Sequence, residues 1–373
     1  MWDLLKEDRV KDVAKRRHRP PTEAETAYRG GYAEGRRFGG CQAMMERVQM
    51  FEPTVRNMKV LYIPQGFDAI DEGVIGALQQ SVRECVVGSP ANMLQEASEH
   101  RPDLVLVMNG LHVFPPDHLD QVNGIRGLGI RTAVWFVDDP YFTEDTTTIC
   151  QYYDVVFTHE EAAVPFYTAH GAGRVIYMPL AVNPGMFQPR RTAPQHQYDI
   201  CFIGTGFWNR VALFDELAPF LADKKVFIAG SQWNRLKRSD ILGRFIHEGW
   251  IDPGATVDYY NGAKIVINVH RTCENGEDNR NTHHLQGHSI NPRTYEISAC
   301  GTMQITDARN DLPRYYRPGY DIETFTTADE LQRKIKYYLH HEEERRAIAW
   351  RGLLTTLNQH TFTRRIAQLL EHV

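Results

Sequence analysis

The chain holds 373 residues, 42% of them hydrophobic and 24% charged, with a formal net charge of -5. That length and balance fit a globular protein of two domains or one large α/β domain, and the negative charge argues against a nucleic-acid partner. No apolar run approaches the ~20 residues of a membrane span. The opening residues, with Asp3, Glu7 and Asp8, lack the apolar core of an export signal. Six cysteines (Cys41, Cys85, Cys150, Cys201, Cys273, Cys300) show no Cys-x-x-Cys spacing. Free thiols in a reducing cytoplasm, the expected location, suit that pattern.

Residues 1–57 read as an N-terminal extension. A basic run over 11–19 is broken by Pro20 and Pro21, and Gly31, Gly35 and Gly39 follow at four-residue intervals. On a helix these glycines would form one smooth strip, but their helix cost favours a semi-ordered basic arm. Either form suits docking, so self-association through this extension is expected.

The pattern becomes regular over 58–182. Apolar runs at 59–63, 84–87, 103–108, 131–137, 154–157 and 174–178 read as strands buried on both faces. Amphipathic segments at 74–82, 91–100, 117–128, 146–153 and 162–169 separate them, which predicts βαβ units and a parallel sheet. Residues 183–197, with Pro184, Pro189 and Pro194, read as a linker. The alternation restarts over 198–340, with strands at 198–203, 225–229, 264–269 and 302–306. Helices are predicted at 210–221, 256–263 and 327–339, the last opened by a Thr327/Glu330 capping box. Residues 341–373 read as two helices broken near Asn358 and packing back toward the first domain. The expected fold class is α/β, with two doubly wound Rossmann-like domains facing across a cleft.

Ligands of such sheets bind beyond the carboxyl ends of the strands. There the second domain carries Gly204, Thr205 and Gly206, with Arg210 close behind, a glycine turn suited to a phosphate. A dinucleotide fingerprint would add a third glycine where Asn209 stands and an acid where Gly230 and Ser231 end the next strand, so a nucleoside diphosphate fits better than NAD. A tight packing turn is the alternative. Asn268, His270 and Arg271 end the strand at 264–269, and a long polar loop leads to Ser289. A short helix then carries its own punctuation: Asn291 as N-cap, Pro292 at the first position, Gly301 just past the end. Arg293 and Glu296, three apart, share one face of it. An arginine at a helix N-terminus can hold an anion, and Glu296 one turn deeper can accept from a hydroxylated ligand. The loop histidines His283, His284 and His288, with His270 and Cys273, match no standard zinc spacing, so no metal is expected. In the first domain Asp138 and Asp139 follow the strand at 131–137, and His159 follows the next. These are candidates for the acid or base, with His112 a further one.

With both halves in view, residues 58–370 resemble the CgeB-like spore-maturation glycosyltransferases. The likeness rests on 199–206, on 267–270, on 137–141, and above all on 291–301 with Arg293 and Glu296. It implies the GT-B fold and transfer of a sugar from a nucleotide-diphosphate sugar, a UDP-sugar being the expected donor, to a glycan, protein or small-molecule acceptor. No further cofactor is required. Gly204, Thr205, Gly206, Arg210 and Arg293 would hold the diphosphate and Glu296 the ribose. Asn268, His270, Arg271 and Ser289 would line the donor site, while Asp138, Asp139 or His159 would orient or deprotonate the acceptor. Related retaining enzymes often place a second glutamate eight residues before the first; His288 stands there instead, so the resemblance assigns no stereochemistry. A nucleotide-sugar epimerase on the same fold and a non-catalytic nucleotide-binding assembly protein are the other classes the residues allow.

Overall fold

Strands β1 (Arg56–Ile63), β2 (Val82–Val87), β3 (Leu104–Met108), β4 (Arg131–Phe136), β5 (Val155–Thr158) and β6 (Val175–Tyr177) form one parallel sheet in the order β2-β1-β3-β4-β5-β6. A second parallel sheet contains β7 (Tyr198–Ile203), β8 (Val226–Gly230), β9 (Ile246–Glu248), β10 (Ala263–Asn268), β11 (Met303–Asp307) and β12 (Glu323–Phe325), in the order β12-β11-β10-β7-β8-β9. These belong to a computed structural model that describes residues 22–373; the basic run at 11–19 lies outside the described residues.

The continuous apolar runs explain the architecture. All five residues of β3 are buried, because helices cover both faces of the sheet. Each predicted strand is present, and β9 and β12 were not legible. Both have three residues and lie at the edges of the second sheet, too short to show a periodicity. Among the described residues, no helix is long and apolar enough to cross a membrane.

Helix Glu23–Met45 opens the described chain, so the glycine-spaced segment is helical despite its composition. Within 22–40, Tyr28 and Tyr32 stack with ring centroids 6.5 Å apart. A Cβ added at Gly31, Gly35 or Gly39 would meet nothing within 4 Å.

At the other end, Thr327 accepts from the Glu330 amide, while Glu330 accepts from the Thr326 amide, and helix Ala328–His340 begins there. Helix Glu342–Gln359 follows. The chain then crosses to the first sheet: the Val182 amide donates to the His360 carbonyl, and the Phe362 amide to the Val182 carbonyl. Helix Phe362–Leu369 packs on helix Asp68–Ser81. Gly73 makes that seat, since a Cβ there would come within 2.3 Å of the Phe362 ring.

Candidate functional site

In each sheet the strand order reverses direction once. In the first, β1 leads outward to β2 and the chain returns to β3 on its other side; in the second, the same happens between β7 and β10. Loops leaving such neighbouring strands diverge and open a crevice. The two crevices open into one cavity of about 500 Å³. Its walls include Phe67, His112, Asp138 and His159 from the first sheet and Thr205, Arg210, Arg271, Arg293, Glu296 and Arg309 from the second.

The second-sheet wall is built around helix Pro292–Ala299. Asn291 caps it by accepting from the Thr294 amide, and Gly301 stands past the end at φ +68, a region that favours glycine. Asn268 does not face the cavity. Its amide nitrogen donates to the side chains of Asn291, Thr294 and Gln304, and its oxygen accepts from Asn291, so its whole hydrogen-bonding capacity fixes the helix start. His270 does similar work. The Asn291 amide donates to Nε2, which places the ring proton on Nδ1, and Nδ1 donates to Asp307 at 2.6 Å. Burial draws the His270 pKa down to about 4, so the ring stays neutral. Burial works against ionised Asp307 as well, but His270 and Arg309 outweigh it and hold the carboxyl at about 2.

Four arginines converge here, and they differ in how their charge is met. Arg309 lies 3.6 Å from Asp307. Arg210 is buried and donates to the carbonyls of Val269 and Thr205. Burial, with Arg293 nearby, lowers its pKa to about 9. Neither Arg271 nor Arg293 makes an ion pair among the described residues, and both line the cavity. Glu296 opens to the cavity on the same helix face as Arg293. Burial raises its pKa to about 7, against the pull of Arg293. The site therefore offers an anion several unspent cations.

The glycine turn plays a packing role. The Gly204 amide donates to the Ala229 carbonyl and the Gly206 amide to the Ser231 carbonyl, so both are spent within the sheet. Gly230, at φ +137, lies so close that a Cβ would come within 2.2 Å of the Gly204 carbonyl oxygen. Of the turn, Gly204 and Thr205 line the cavity and Gly206 does not.

On the first-sheet wall the paired aspartates have separate roles. Asp139 is 1% exposed, and its two oxygens accept from Thr158 and Tyr167. Burial raises its pKa to about 7, more than those hydrogen bonds can offset. Its pKa unfolded lies near 3.8, so the native state holds the extra proton, and the stability this confers is complete below that value and lost as pH rises through 7. The melting temperature is therefore expected to fall between pH 5 and 8, and Asp139→Asn should remove part of that slope. An identical slope in the variant would refute this.

Asp138 faces the cavity. It accepts from Asn109, and His112 Nε2 lies 3.5 Å from the same carboxylate oxygen. Asn109 also accepts from the Val137 and Asp138 amides, which sets the turn that presents the acid. His159 is buried; its Nε2 bonds to the Asp139 carbonyl, and burial lowers its pKa. Ser289 accepts from the Glu161 amide.

Sequence reasoning overlooked Glu160. Its carboxylate reaches across from the first sheet and accepts from the amides of His288 and Ser289 at 2.9 Å. The polar loop is pinned elsewhere too, as Thr143 donates to Asn281 and Arg280 pairs with Glu144. Asp307 and Arg309 were also overlooked. Asp307 ends β11 and Arg309 follows it, and β11 pairs with β10 up to Asn268↔Thr306, so the strand-end rule applied to β11 finds them. Among the described residues, no three His, Cys, Asp or Glu side chains converge as a metal site.

A family profile described as "Glycosyl transferase-like" matches residues 210–371. The chain is 30% identical over 323 residues to spore protein CgeB of Bacillus subtilis (strain 168), covering 84% of this chain and 98% of that protein. Among solved structures, HepE of Anabaena in complex with UDP and glucose aligns with a TM-score of 0.59 at 10% identity, over 85% of this chain and 100% of that one. Sucrose-phosphate synthase from Thermosynechococcus elongatus aligns with a TM-score of 0.57 at 12% identity, over 85% and 99% of the two chains. These structural likenesses show the fold, which is GT-B.

Proposed function

Because the chain belongs to the CgeB-like glycosyltransferase family, we propose that its cavity binds a nucleotide-diphosphate sugar against the second sheet and an acceptor hydroxyl against the first. One observation carries this reading. Among the described residues Arg210 and Arg293 form no ion pair and line one wall, and the Asp138–His112 pair lines the other.

Arg293 and the positive end of helix Pro292–Ala299 take the diphosphate, and Arg210 adds charge. Glu296, one turn deeper, accepts from the ribose hydroxyls. In the reaction the acceptor oxygen forms a bond to the sugar C1 as the bond from C1 to the diphosphate oxygen breaks. The diphosphate leaves with the electron pair, and the acceptor proton passes to the Asp138–His112 pair. UDP serves as the leaving group in this reading, which is supported by the UDP found in HepE. Arg293 acts mainly on the transition state, where the leaving group gains charge.

A panel of nucleotide sugars incubated with the full chain, with donor hydrolysis scored by mass spectrometry, tests the reading. At least one donor should be cleaved, and Glu296→Ala should weaken nucleotide binding. The reading fails if no donor is bound or cleaved.

A further inference from the structure

Arg271 stands apart from the other cavity arginines. Its guanidinium sits among three aromatic rings, 4.6 Å from Phe207, 4.7 Å from Tyr141 and 5.2 Å from Phe142. Tyr141 also donates to the Arg271 carbonyl, which fixes the backbone beneath the side chain. Its Nε is buried without a hydrogen-bond partner, and no carboxylate lies within ion-pair distance among the described residues. The nearest acids are committed elsewhere: Asp138 to Asn109 and His112, Asp278 to Arg235 and the Trp208 amide. Removing a guanidinium from water without a counter-ion is unfavourable, and burial accordingly lowers its pKa.

A charge count sharpens the point. A sugar diphosphate ester carries one negative charge on each phosphate, and Arg293 and Arg210 match those two. One guanidinium is left over. The Phe207 ring lies 4.8 Å from the Arg210 guanidinium and 4.6 Å from that of Arg271. Arg271 lines the cavity, and a guanidinium can make a forked pair of hydrogen bonds to a carboxylate or phosphate. Phe142, one wall of this cage, is in edge contact with His112 at 4.8 Å, so the cage adjoins the acceptor side of the cavity.

We infer that Arg271 receives a second anion, a carboxylate or phosphate group carried by the transferred sugar or by the acceptor sugar and distinct from the diphosphate. The inference rests on the glycosyl-transfer reading and deepens it to a class of acidic sugar substrates.

Calorimetry on the full chain at low salt tests it with two ligand pairs. UDP-glucose is compared with UDP-glucuronic acid, and, on protein saturated with UDP, glucose is compared with glucose 6-phosphate. In one pair the anionic member should bind about tenfold tighter or more, as a charge-assisted pair implies, and that pair identifies the source of the anion. Arg271→Gln should abolish the preference; Arg271→Lys should retain part of it. Equal binding within both pairs, or a preference that survives Arg271→Gln, overturns the inference alone. Failure of UDP to bind the unaltered chain would overturn the donor reading, and this inference with it.

Discussion

Arg293→Ala is expected to lower kcat/KM for the nucleotide sugar by about 10²–10³, the scale seen when one preorganised donor to a developing anion is lost. The geometry explains why so large an effect should come from one residue. Arg293 is the cavity-facing cation of a helix whose N-terminus brings the positive end of its dipole to the same cavity. Among the described residues no carboxylate pairs with it, so its charge is available to the substrate. Much of the loss should fall on kcat, since the diphosphate becomes more negative as the bond to C1 breaks. Folding should be little affected, because Asn291, Asn268 and His270 fix the helix start without it. Steady-state kinetics beside a thermal melt checks both parts. A variant with normal kcat would show that Arg293 is not where the leaving group sits.

Asp138→Asn should lower kcat by about 10²–10⁴, the range for loss of a positioned acid or base, with donor affinity retained. Asparagine keeps the shape, and the main-chain amides of residues 137 and 138 still donate to Asn109 and hold the turn. It cannot orient His112 through a charge or accept a proton. Donor hydrolysis by water, which needs less help from a base, should fall less than transfer to an acceptor. His112→Gln should act in the same direction. If Asp138→Asn transfers at the normal rate while Asp139→Asn does not, the buried partner would be the functional acid, and the burial argument would be wrong.

Most of the architecture was legible because parallel strands buried on both faces leave unbroken apolar runs. The donor helix was legible for another reason: Asn291, Pro292 and Gly301 specify its ends locally, and the structure shows the Asn291 cap and the positive φ of Gly301. The placement of polar side chains was less visible. Asn268 and His270 stand at a strand end, where ligand contact and helix positioning leave the same trace in sequence. What separates them is the partner each finds in space, Asn291 and Thr294 for one, Asp307 for the other. The Asp138/Asp139 pair shows the same limit. Both stand in the turn after β4, where no period fixes which way a side chain faces; Asp138 meets His112 at the cavity and Asp139 the buried Tyr167. Glu160 was hidden because its partners, the amides of His288 and Ser289, belong to the other sheet's loop.

The crossing at Val182 and His360 has a consequence for how the protein is made. The first sheet's residues leave the ribosome early, but the groove over Gly73 receives Phe362 only after the second sheet has been synthesised. Until then the nascent first half exposes an apolar seat shaped for a late segment. Its completion is thereby tied to that of the second half, so neither wall of the cavity reaches its final support without the other.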